Sequence, residues 1–148
     1  GVNTRFIELA GEINHYMPQW VVGKVADALN EQGKAVKGSR ILVLGLAYKK
    51  NIDDTRESPA VEIMDRLQAK GAHIDYSDPH VPMFPRKRDY HFDLQSVTLT
   101  PDAIASYDCL VLATDHDGFD YPQLLQHAHL IVDTRGRLGV GAGNVVAA

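Results

Sequence analysis

The sequence holds a single cysteine, Cys109, so no disulfide can close within the chain and no cysteine-based zinc site can be built. That usage fits a reducing, cytoplasmic compartment. A transmembrane helix needs about 18 or more consecutive apolar residues, and no such run occurs, so no membrane span is expected. The opening residues, Gly1 to Phe6, lack the layout of a signal peptide, and no methionine stands first. The chain begins directly in a helical pattern, which suggests a piece of a longer protein. Positive charge is not in excess: 15 Lys and Arg against 19 Asp and Glu leave a net charge of −4. A general nucleic-acid binder is therefore not expected. The 7 histidines, His15, His73, His80, His91, His116, His127 and His129, show no spacing that pairs them with carboxylates as a metal site.

What is present suits one ordinary globular domain: 148 residues, 45% hydrophobic and 23% charged, with room for one attached element. Residues 4–32 read as a long helix. Phe6, Leu9, Ala10, Ile13, Met17, Val21, Val25, Ala28 and Leu29 recur at three- and four-residue steps. Pro18 either kinks this helix or starts a second segment. Gly33 is a natural stop. A helix of this length is more than such a domain can cover, so its apolar stripe suits packing against another domain or subunit. The alternative is that it folds back on its own sheet.

Beyond it the pattern changes. Arg40 to Gly45 is a short apolar run ending in glycine, as in a strand buried on both faces of a parallel sheet. Ser58-Pro59 opens a helix by N-cap and first-turn proline, with Ala60, Ile63, Met64 and Leu67 on its core face. His73 to Ser77 reads as a second strand, Tyr107 to Ala113 as a third and Leu130 to Asp133 as the last. Val97 and Leu99 suit a short strand. Thr100-Pro101 and Asp120-Tyr121-Pro122 open further helices. Residues 79–95 are irregular and carry the basic cluster Arg86-Lys87-Arg88, most simply a solvated loop. The alternation implies an α/β fold: a Rossmann-like, doubly wound parallel sheet preceded by a long central helix. The divisions are a central helix over 1–33, the sheet domain over 34–138 and a frayed, glycine-rich tail over 139–148. Ligands of such sheets bind outside the strand carboxyl ends, where 46–57, 114–119 and 134–137 converge.

A dinucleotide fold would place G-x-G-x-x-G in a tight turn after the first strand, but Gly45 stands alone and the connection is too long. The loop 46–57 offers Tyr48, Lys49, Lys50 and Arg56 instead, with Asp53, Asp54 and Glu57 to orient the cations. Such a set suits a diphosphate, whose oxygens need charge-assisted donors. The same residues also read as an ordinary solvated charged loop.

The stretch Leu44-Gly45-Leu46-Ala47-Tyr48-Lys49-Lys50-Asn51-Ile52-Asp53-Asp54-Thr55-Arg56-Glu57-Ser58-Pro59 resembles the carboxyl-terminal domain signature of the UDP-glucose/GDP-mannose dehydrogenase family. Phe6 to Asn14 and Val21 to Val25 are similar to that family's central helix. Gly71 to Pro79, Ala113 to His116 and Val132 to Arg135 match later blocks in order. The resemblance implies a division of labour. An amino-terminal Rossmann domain binds NAD, a central helix builds a homodimer, and the carboxyl domain grips the UDP half of a UDP-sugar. A cysteine in a Gly-Gly-x-Cys loop, absent from this sequence, would carry the C6 hydroxyl to a carboxylate through a thioester in two hydride transfers. Such a UDP-uronic acid would serve polysaccharide assembly. Tyr48 and Lys49 match nucleotide-sugar contacts, Arg56 matches an arginine reaching the NAD of the other domain, and Arg135 lies where the family has a substrate-facing arginine. There the register is ambiguous by one residue, with Arg137 the weaker candidate. The first helix resembles members acting on UDP-N-acetylglucosamine or UDP-N-acetylmannosamine, with a UDP-glucose 6-dehydrogenase domain as the alternative.

No residue of this chain is assigned to catalysis. Cys109 sits in the middle of an apolar strand, where a small buried hydrophobe is the default. Asp78 reads as a cap for the turn before Pro79, and His116 as a loop cap at the ligand edge of the third strand. Trp20 and Tyr16 suit dimer or domain packing. Two other classes of function remain open: a self-contained small oxidoreductase with its own NAD site, and an oligomerisation module that binds no ligand.

Overall fold

In a computed structural model the described residues are 2–47, 55, 58–86, 90, 92–139 and 141–148, with side chains of the first helix described from Met17 onward. The elements run α1 (Val2–Glu31), β1 (Arg40–Leu44), α2 (Pro59–Ala69), β2 (His73–Ser77), α3 (Pro101–Ala105), β3 (Cys109–Leu112), α4 (Tyr121–His127), β4 (Ile131–Asp133) and β5 (Val145–Ala147). All strand pairs are parallel, in the order β2-β1-β3-β4-β5. The α/β, doubly wound expectation holds.

Local chemistry explains the helix starts. Ser58 accepts from the Ala60 amide and Thr100 from Ala103, each just before a proline, and Asp120 accepts from Gln123 ahead of Pro122. The missing N–H of an early proline costs nothing there, because first-turn amides have no intrahelical partner. The strands sort their side chains by alternation. Ile41 and Val43 face one layer together with Tyr76, Val111 and Val132, while Leu42 and Leu44 face the other with Leu110, Leu112 and Ile131. Helices α1 and α2 cover the first face; α3 and α4, through Ile104 and Leu124, cover the second.

Four details depart from the sequence reading. Val21, Val22, Val25, Ala28 and Leu29 are buried in the domain's own core, so the second half of α1 folds back on the sheet and packs on α2. The helix runs through Pro18 without interruption. The tail is not wholly frayed, since Val145–Ala147 pairs with β4 as a fifth strand. Asn144 anchors that return by donating its side-chain amide to the Leu125 and Ala128 carbonyls at 3.0 and 2.9 Å. The edge of β4 thereby finds partners for backbone groups that would otherwise lack them. Val97 forms no strand; its amide donates to the Tyr76 carbonyl at 2.8 Å, and its carbonyl accepts from the Ser77 hydroxyl at 2.7 Å. No helix among the described residues is long and apolar enough to cross a membrane.

Candidate functional site

Strands β1 and β3 are neighbours, yet the chain leaves β1 for a helix on one face and β3 for a helix on the other. Their carboxyl ends therefore lead to opposite faces, and sheets of this strand order hold ligands in a crevice outside such a switch point. The segment Gly45-Leu46-Ala47 leads out of β1 and Thr114-Asp115-His116 leads out of β3, and the two touch at this switch point.

Gly45 makes this close approach possible. Its φ is +88°, and a Cβ there would lie 2.5 Å from Thr114 Cβ and 2.7 Å from the Thr114 carbonyl oxygen. The Gly45 amide donates to the Ser77 carbonyl at 2.8 Å, while the Thr114 hydroxyl donates to the Ala47 carbonyl at 2.5 Å. Asp78, at the end of β2, lies beside this contact. One of its carboxylate oxygens accepts from the Leu46 amide at 2.7 Å and from His116 Nε2 at 2.9 Å; the other accepts from the His80 amide at 2.7 Å. The side chains of Asp78 and His116 are both 0% exposed. Burial pushes the Asp78 pKa up, but the hydrogen bonds from His116, Leu46 and His80 outweigh it and hold the carboxyl below its ordinary value. An ionised carboxylate only accepts, so Nε2 of His116 carries the proton. The cap before Pro79 is thus present, but the same carboxylate also joins the ends of β1, β2 and β3.

On the far side of β3, Asp133 is buried and shapes the next loop by accepting from the amides of Arg135, Gly136 and Leu138, each at 2.9 Å. This turn lets Arg135 Nε donate to the Ala113 carbonyl at 2.9 Å, beside the switch point. Arg137 also reaches the segment after β3, at Asp115 and Asp117. Its guanidinium lies 3.1 Å from Asp117 and 3.6 Å from Asp115, and 4.6 Å above the Tyr121 ring.

Residues 42–139 match the UDP binding domain of the UDP-glucose/GDP-mannose dehydrogenase family. The chain belongs to that family. A UDP-N-acetyl-D-mannosamine dehydrogenase of Salmonella typhi is 36% identical over 138 residues, covering 89% of this chain and 32% of the relative. One from Methanococcus maripaludis (strain C7) is 35% identical over 117 residues, 79% of this chain and 25% of the relative. Among solved structures, the UDP-D-ManNAc dehydrogenase of Pyrococcus horikoshii shares the fold with a TM-score of 0.74 at 24% identity, over 95% of this chain and 32% of that one. This dehydrogenase-family chain therefore spans about a quarter to a third of the length of the relatives it matches.

Within the family domain, the structure brings Arg135 to the switch point beside Ala113. Tyr48, Lys49 and Arg56 lie outside the described residues, as do Lys87 and Arg88 of the basic cluster. Leu46 and Ala47, which lead into residue 48, are described and buried. Cys109 is buried in β3, and burial pushes its thiol up to about 12. That environment is the reverse of a nucleophile's, in keeping with a structural role. The described residues contain no group of three or more His, Cys, Asp or Glu side chains suited to a metal. Sequence reasoning undervalued Asp78, His116 and Thr114. The available signal was a run of polar residues placed directly after buried strands.

Proposed function

We propose that this chain is the nucleotide-sugar-binding part of an NAD-dependent UDP-sugar 6-dehydrogenase, with the uridine diphosphate held at the β1/β3 crevice. The observation that carries the reading is the switch point after β1 and β3, where a positive-φ glycine is pinned against Thr114, in a domain of the family's UDP-binding type. Tyr48 and Lys49 come next in sequence after Ala47, and Arg135 bonds the Ala113 carbonyl beside the switch point, so these are the substrate contacts in this reading. A cation at a strand's carboxyl end meets phosphate oxygens with charge-assisted donors. UDP-N-acetylmannosamine is the preferred sugar nucleotide, on the likeness to relatives named for it.

NAD does not fit the chain's own residues. The connection from β1 to α2 carries one glycine, Gly45, where a dinucleotide turn needs three, and it is too long for a tight turn. In the proposed enzyme the amino-terminal domain holds NAD, and Arg56 contributes one contact to it. The homodimer is proposed to form along α1. In support, Trp20 is 59% exposed on that helix, with the Lys24 ammonium 4.9 Å from its ring centroid. A cytoplasmic location accords with the lone buried thiol.

Calorimetric titration of the chain with UDP, UDP-N-acetylmannosamine and NAD tests the reading. Binding of the first two without NAD is the expected result. Binding of NAD alone, or of none of the three, overturns a nucleotide-sugar half-site in this chain.

A further inference from the structure

Leu46 and Ala47 are held from two directions by side chains distant in sequence. The Leu46 amide is taken by Asp78 from the end of β2, and the Ala47 carbonyl by Thr114 from the end of β3. Asp78 is itself fixed three ways. His116 Nε2 bonds the same oxygen that Leu46 uses, the His80 amide bonds the other, and the Asp78 amide donates to Ser96 Oγ at 2.9 Å. The His116 ring packs edge-on against His80 and beside Phe119, so it cannot swing away without opening the core. A carboxylate with no exposed side-chain surface is costly to hold unless it is fully bonded, and here its bonds fall on the point where the chain leaves β1.

We propose that Asp78 and His116 are positioning residues for nucleotide binding: through the Leu46 amide they fix the backbone of Leu46 and Ala47 where the chain leaves β1. The proposal rests on the nucleotide reading of the crevice. Neither residue needs to touch the ligand. Their effect is to hold Leu46 and Ala47 in place before the ligand arrives, so that less ordering of this backbone is left for binding to supply. Thr114 completes the clamp from the end of β3.

The test compares His116→Phe, His116→Gln and Asp78→Asn by UDP titration and by amide hydrogen exchange. Phe keeps the ring packing and removes the donor; Gln restores an amide donor near the position of Nε2. His116→Phe and Asp78→Asn are expected to weaken UDP binding about tenfold, with His116→Gln within about twofold of the unaltered chain. Exchange at the Leu46 amide should quicken at least about tenfold in His116→Phe, while Val43 and Val111 in the strands keep their protection. Strand amides that quicken together with Leu46 would mean general loosening and overturn the proposal. So would UDP affinity unchanged in both weakened variants. Absence of UDP binding by the unaltered chain strikes the nucleotide reading itself; in that case unchanged Leu46 exchange in His116→Phe refutes the tether independently.

Discussion

Replacing Gly45 with alanine tests the geometry on which the crevice depends. Two costs add at this position. A residue with a side chain held at φ near +88° pays about 1–2 kcal/mol for left-handed backbone. The new methyl would also sit 2.5–2.9 Å from three atoms of Thr114, two of them backbone, just beyond β3, a strand paired on both sides. Relieving that overlap means forcing β1 and β3 apart, and overpacking of this kind costs about 1–3 kcal/mol. Together Gly45→Ala should lose roughly 2–5 kcal/mol, a large part of the ~5–15 kcal/mol that a domain has in total. For a chain of this length the melting temperature should fall by roughly 4–20 °C. Urea denaturation followed by circular dichroism measures the loss. Gly136→Ala is the internal control, because its φ is +71° but nothing lies within 4 Å of an added Cβ. It should show the backbone cost alone, about 1–2 kcal/mol. If Gly45→Ala costs no more than Gly136→Ala, the close approach to Thr114 does not exist in solution.

Asp78 has a folded-state pKa below its unfolded value, so its stabilising contribution is complete above the ordinary aspartate pKa of about 3.9 and is lost as pH falls through the depressed folded value. Asp78→Asn should therefore flatten the acid side of the stability-against-pH curve, as read by urea titrations below about pH 5; an unchanged slope refutes this. Cys109, with its thiol pushed up to about 12, should resist an aromatic disulfide reagent at neutral pH and react on unfolding. Rapid labelling of the native chain would count against the buried strand. Leu29→Ala should cost about 2–5 kcal/mol, because Leu29 is fully buried between α1 and the sheet domain. A loss within experimental error would mean that α1 is not docked. Arg135→Ala should weaken UDP binding by about 1.5–3 kcal/mol, the usual range for a hydrogen bond to a charged group. Unchanged affinity in the calorimeter removes Arg135 from the site.

Much of this architecture is local information, which is why the sequence by itself determined it. The runs at Ile41–Leu44 and Cys109–Leu112 are apolar at every position because both faces of the sheet are covered, and the structure buries every one of those residues. Ser58-Pro59, Thr100-Pro101 and Asp120 before Pro122 start helices through bonds that span only two or three residues. The family resemblance was equally legible, since it rests on ordered blocks along the chain. Tertiary structure decided the rest. An amphipathic stripe states that α1 must be covered without naming what covers it, and only the packed domain shows Leu29 and Val25 against α2 and the sheet. The fifth strand depends on an open edge of β4 and on Asn144 reaching back to Leu125, neither visible in a glycine-rich tail. Asp78 and His116 lie 38 residues apart, and Asp78 and Leu46 lie 32 apart. A polar residue after a buried strand looks the same in sequence whether it meets solvent or, like Asp78, accepts three hydrogen bonds beneath the surface. The difference is made by parallel strands that bring their carboxyl ends to one edge, a property of the fold and not of any one segment.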